Sequence, residues 1–93
     1  MSPAPEVTAR RIAQMRQRLQ QALQPEILEI ADESHHHVGH AGARDGRGHF
    51  RLHVVSAAFS GLSPLQRHRL VYAALGELMQ TDIHALAIEA ELP

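Results

Sequence analysis

The run His49-Phe50-Arg51-Leu52-His53-Val54-Val55-Ser56 alternates: Phe50, Leu52 and Val54 fall on one face, Arg51 and His53 on the other. A period of two is that of a strand with one buried and one solvated face. Such a strand needs a covering layer, and helical patterns on both sides of it in the chain supply one. Across residues 6–22, Ile12, Met15 and Leu19 recur at spacings of three and four, with Leu23 next in the series. Arg10, Arg11, Gln14, Arg18 and Gln21 fill the other side, and Pro25 ends the helix. Downstream, Ser63-Pro64-Leu65-Gln66 reads as a helix start. It offers a serine cap, a proline at the first helical position and a glutamine placed to reach back. Leu65, Tyr72, Leu75 and Met79, with Val71 and Leu78 beside them, carry the apolar face on to about Gln80.

Two further strands complete the pattern. Ile27–Asp32 is short and rich in β-branched and apolar residues, and Ile83–Ile88 follows the break at Thr81-Asp82. Phe59-Ser60-Gly61 reads as a turn. The order is therefore helix, strand, strand, helix, strand. A right-handed crossover through the second helix lays the last two strands parallel, and a loop connection sets the first two antiparallel. The expected class is α+β, a single KH-like domain with a mixed three-stranded sheet and helices on one face. Its expected core is Leu19, Leu23, Leu28, Ile30, Phe50, Leu52, Val54, Leu75 and Leu86, with the Tyr72 ring packed there and its hydroxyl at the surface. Pro3 and Pro5 mark residues 1–5 as a tail, leaving 6–93 as the domain.

Composition narrows the function. Ninety-three residues suffice for one core without staples. Nine basic residues against ten acidic give a net charge of −1, far from the footprint of a dedicated nucleic-acid binder. All nine are arginine, which excludes Schiff-base and phosphate-loop lysine chemistry and is also what a GC-rich genome produces. There is no cysteine, hence no disulfide and no thiolate chemistry. No apolar run approaches the roughly 20 residues that cross a bilayer, and no signal peptide opens the chain. The expectation is a cytosolic chain with no membrane partner. Ser34, Ser56, Ser60 and Ser63 come with no base-and-orienter arrangement, and no carboxylate pair stands out, so an enzyme is not expected.

Histidine is where the sequence becomes specific, with eight against three aromatics. Residues 33–48 hold four glycines and keep no period, so they read as a long loop, a kind that is usually functional or disordered. Within it His35, His36, His37 and His40 are candidate metal ligands, because imidazole takes zinc, copper and iron. The spacing lacks a zinc-finger pattern, and a solvated loop with incidental histidines explains it equally well. His84 stands at the mouth of the third strand, where the topology brings it toward the same end of the sheet as that loop. Arg67-His68-Arg69, early in the second helix, could meet phosphates, or could simply be a solvated helix face. Gly39-His40-Ala41-Gly42 matches a KH-type GxxG but lies between strands, where that motif has little meaning.

Taken together, five motifs resemble the BolA family in order and spacing. They are Asp32-Glu33-Ser34-x-x-His37, His49-Phe50, Val54-Val55-Ser56-x-x-Phe59-x-Gly61, Arg67-His68-Arg69-x-Val71-Tyr72 and Ile83-His84-Ala85-Leu86-x-Ile88. The resemblance runs from about Leu23 to Ile88. It implies a class II KH-like fold with a helix-turn-helix-like face. It also implies a partner of monothiol glutaredoxins, the two proteins and glutathione sharing a bridging 2Fe–2S cluster in iron–sulfur trafficking or iron regulation. The free protein is not expected to hold that cluster. The family's two ligand positions match His37 in the loop and His84 on the last strand, with His35, His36 and His40 as alternative loop ligands. The family's other role, transcriptional regulation through DNA, would use the Arg67, His68 and Arg69 face, and the neutral charge balance makes only weak binding expected. A homodimer is left open.

Overall fold

In the computed structural model, which describes residues 5–34 and 46–93, the alternating strand is β2 (Gly48–Val55) and lies at the centre of the sheet. β1 (Ile27–Asp32) pairs with it antiparallel, Leu28 opposite Val54 and Ile30 opposite Leu52. β3 (Ile83–Glu91) pairs on its other side in parallel, Leu52 beside Ile88. Before the sheet comes α1 (Pro5–Leu23), and between β2 and β3 come a 3-10 turn over Ala57–Phe59, α2 (Pro64–Leu75) and the short α3 (Leu78–Thr81). The class, the element order and both strand senses are those expected from the sequence.

The inner face of β2 meets both long helices. Met15, Leu19 and Leu23 of α1, Val71 and Leu75 of α2, and Phe50, Leu52 and Val54 form one buried cluster with Phe59, Leu78 and Ile83. Leu28, Ile30 and Leu86 belong to the edge strands and are only partly buried against it. Tyr72 departs from expectation: at 41% exposed, its ring is not in the core. Val71 and Leu75 already occupy the inward stripe of α2, and Tyr72 stands one step round the helix from it. Phe59, expected in a turn, is fully buried, and the 3-10 turn folds it under the sheet.

Local chemistry explains where the elements end. Ser63 accepts from the Gln66 backbone N–H while Gln66 Oε1 accepts from that of Ser63, the reciprocal box read from the sequence. The second helix does not run through to Gln80. Gly76 adopts φ 55° and ψ −130°, a positive-φ conformation open to glycine, and splits it into α2 and α3. Arg18 covers the exposed end by donating to the Leu75 carbonyl at 3.2 Å. At the end of α1, buried Ser56 donates from Oγ to the Leu23 carbonyl at 2.6 Å.

Candidate functional site

His84 owes its position to an irregularity in the parallel pairing. Gly48 is opposite Ile83 but His49 is opposite Ala85, so β3 spends one extra residue there, and that residue is His84. A bulge re-aims the side chain it carries and often lies beside a functional site. Ile83 turns into the core, whereas His84 is exposed at the sheet end where the 33–48 connection begins and finishes.

Several bonds tie that end together. The Asp82 carbonyl accepts from Gly48 N–H at 2.8 Å, the His49 carbonyl from Glu33 N–H at 2.7 Å, and Ser34 Oγ from His49 N–H at 3.0 Å. Ser34 is itself held by the Asp32 carboxylate, which accepts its N–H at 2.7 Å. Arg11, on the expected polar side of α1, is buried instead. It donates from Nε to Asp82 Oδ2 at 3.1 Å and from Nη2 to the Gly46 carbonyl at 2.6 Å. One side chain thus holds both the returning loop and the residue two before His84.

The Asp82 carboxyl reflects this. Burial works to raise its pKa, but hydrogen bonds from Thr81 and Arg11 and the charges of Arg11 and Arg10 outweigh burial and hold it below 3.8. A depressed carboxyl stabilises the fold above its ordinary pKa, and the contribution is lost as pH falls through the native value. Arg11→Met keeps the stem and strands the carboxylate, so it should cost about 1.5–3 kcal/mol at neutral pH. Urea unfolding at several pH values should show that gap shrinking as pH falls through the carboxylate range and closing only below the lowered native value of wild type, where Asp82 is neutral in both proteins. A pH-independent gap would assign the loss to packing alone.

Around His84 the ring contacts are specific. Arg47 Nη2 lies 3.1 Å from His84 Nδ1. A guanidinium has only donors, so Nδ1 accepts and a neutral ring carries its proton on Nε2. A metal at either nitrogen therefore requires the Arg47 contact to be given up. The His49 ring packs beside it, centroids 5.1 Å apart and tilted by 50°. His49 is buried, and sequence reasoning gave it no role; it lies near the start of β2 on the outward side, next to the bulge and against His84. A cavity of about 300 Å³ lined by Glu33, His49, Arg51, Ala85, Leu86 and Ala87 opens nearby. A larger one of about 620 Å³ lies between α1 and α2 and has Arg18 as its charged group, with no histidine or carboxylate in its lining.

His35, His36, His37 and His40 lie outside the described residues, as does Gly39–Gly42. Arg67 donates from Nε to the Leu62 carbonyl and from Nη1 to that of Ala90, both at 3.1 Å, and so ties α2 to the end of β3. Arg69 is exposed and His68 half-buried on the same helix. No helix among the described residues is long and apolar enough to cross a membrane.

An α+β fold of this element order has counterparts among known proteins. The family model described as BolA-like protein matches residues 19–93, and the chain belongs to the BolA family. BolA-like protein 1 of Bos taurus is 54% identical over 81 residues, covering 87% of this chain and 58% of that protein. The chain thus spans little more than half the length of that relative. The solution structure of BolA1 from Mus musculus superposes with a TM-score of 0.75 at 46% identity, over all of this chain and 69% of that one. A relative from Escherichia coli named DNA-binding transcriptional regulator BolA is 42% identical over 72 residues, covering 77% of this chain and 66% of that protein.

Proposed function

We propose that this BolA-family chain is a non-enzymatic partner of a monothiol glutaredoxin, co-ligating a bridging 2Fe–2S cluster in iron–sulfur trafficking or iron regulation. The observation that carries the reading is the placement of His84: a bulge turns an imidazole outward at the sheet end where the histidine-bearing connection begins and ends. The donor chemistry fits the group. A chain without cysteine supplies imidazoles, while the partner and glutathione supply thiolates. His84 would hold the cluster from a strand, and His37, or one of His35, His36 and His40, from the connection. Two imidazole ligands raise the potential of such a cluster over an all-thiolate one, as in Rieske centres.

This chain's own residues present the ring, keep it accessible and govern its proton. Arg11 fixes the backbone on both sides of the opening, and Arg47 occupies the His84 lone pair until a partner displaces it. The test is reconstitution with a monothiol glutaredoxin, glutathione, ferrous iron and sulfide. The expected result is a visible absorption and circular dichroism spectrum distinct from that of the glutaredoxin alone. A spectrum that is the sum of the two separate proteins would overturn the proposal.

The DNA reading has one observation in its favour, the exposed Arg69 on α2 of a chain whose Escherichia coli relative is named a DNA-binding regulator. Phosphate contacts predict binding that weakens steeply with salt and loses slope in Arg69→Ala. The expected result is weak, sequence-independent binding. A sequence-specific footprint at physiological salt would place DNA recognition first.

A further inference from the structure

The sheet face that no helix covers carries a second group of ligating side chains, at the opposite end of β3 from His84. His53 of β2 has Glu29 of β1 and Glu89 of β3 as its cross-strand partners. Glu91 follows Glu89 on the same face, since alternation returns every second residue. His84 lies seven residues upstream on β3, roughly 20 Å along the strand.

His53 is held in one orientation. Its Nδ1 is 2.8 Å from Glu29 Oε1, while Nε2 is 3.4 Å from Glu91 Oε1. A carboxylate only accepts, so the short contact places the neutral ring's proton on Nδ1 and leaves the lone pair on Nε2. That lone pair then faces a second carboxylate, and two acceptors so placed repel unless a proton or a metal ion lies between them. At 3.4 Å the separation is long for a charge-assisted hydrogen bond, whose range is about 2.7–2.9 Å. It matches the ~3.3 Å between two ligand atoms on a tetrahedral zinc with bonds of about 2.0–2.1 Å. The ligating atoms of His53, Glu89 and Glu91 all fall within 4.8 Å of one another. Nε2 itself is shielded from solvent. The remaining cation on this face, Arg51, is turned to Glu33 at 3.3 Å.

The geometry points to a divalent transition-metal site of the zinc class, with His53 Nε2 and the carboxylates of Glu89 and Glu91 as ligands and Glu29 as the group that orients the ring. The Glu29–His53–metal series is the common arrangement in which a carboxylate fixes the tautomer of a ligating histidine. Magnesium is excluded by chemistry, since it takes six oxygens in near-octahedral array. A fourth position stays open to water or to a group from another molecule. Protons compete for the same lone pair. The hydrogen bond from Glu29 raises the His53 pKa above 6.5, burial opposes it, and the charges of Glu91, Glu29 and Glu89 add to the rise. Glu29 on β1, Arg51 on β2 and Glu89 and Glu91 on β3 are the charged groups facing the ring among the described residues.

The loop histidines and His84 also take zinc, so the readout must be residue-specific: imidazole nitrogen resonances of the intact chain titrated with zinc, magnesium in parallel. The expected result is that zinc moves His53 Nε2 while Nδ1 keeps its proton, and that magnesium moves nothing. Glu29→Ala should weaken this response about 10–100-fold, the usual cost of losing an orienting partner. Glu91→Gln should weaken it at least about tenfold, both variants keeping the wild-type amide spectrum. The proposal is overturned if His53 follows pH and ignores zinc, if magnesium matches zinc, or if Glu91→Gln leaves the zinc response unchanged.

Discussion

Phe50→Ala is expected to cost about 3–5 kcal/mol of unfolding free energy, the range for emptying a buried aromatic site. Phe50 is 2% exposed at the inner face of the central strand, between Asp32 of β1 and Leu86 of β3. Its ring lies over Gly48: a Cβ built on that glycine would stand 2.6 Å from Cε2 and 2.8 Å from Cζ. The backbone has thus been left bare where the ring rests, and the other side chain beside that point, the small Ser34 with Oγ at 3.2 Å, is too short to fill the hole once the ring is gone. Neighbouring Leu52 and Val54 are packed by the helices and cannot relax far into the space without opening gaps of their own. Urea unfolding of wild type and variant at one pH gives the difference directly. A loss below about 1 kcal/mol would mean that Phe50 does not face the helices, and the inner-face assignment of β2 would fall with it.

What the sequence shows of this fold is whatever depends on neighbours within a few residues. The alternation of residues 49–56 sorted Phe50, Leu52 and Val54 from Arg51 and His53, and both faces are as the period requires. The Ser63–Gln66 box is local and was legible bond for bond. Gly76 was ambiguous, because a single glycine inside a helical pattern costs only about 1 kcal/mol and can equally be a cap. Phe59 carries no period, so one buried ring in a turn leaves no signature. Arg11 is harder still. On its own helix it belongs to the polar side, and its partner Asp82 is 71 residues away. The last strand runs beyond Ile88 to Glu91 because Val54 and Val55 offer Ala90 and Glu91 a ladder, a register no single segment contains. For the same reason His53, Glu89 and Glu91 could not be brought together from sequence, while His84 at the strand mouth could. The bulge that turns His84 outward, and its contacts with Arg47 and His49, belong to pairing geometry and came only with the structure.

His84→Ala should abolish the signature that distinguishes the mixed cluster complex, the largest functional loss expected of one substitution in this chain. The ring stands at a bulge anchored on one side by Ile83 in the core and on the other by the β2–β3 ladder, so its position is set by rigid backbone. Among the described residues the nearest alternative imidazole, His49, is buried against it and fixed by β2. Loss of His37 should be milder, because His35, His36 and His40 are adjacent in sequence and carry the same donor. Arg47→Ala should act in the opposite direction. Removing the donor on Nδ1 leaves the ring proton able to change nitrogen, so the complex should form at lower partner concentration than in wild type. Acidification should weaken wild type, since a protonated imidazole cannot ligate. The comparison is visible absorption and circular dichroism of the reconstituted mixture for wild type, His37→Ala, His84→Ala and Arg47→Ala, each checked for native unfolding behaviour. If His84→Ala keeps the wild-type spectrum and its pH dependence, His84 is no ligand. Another residue of this chain would then have to hold the shared cluster.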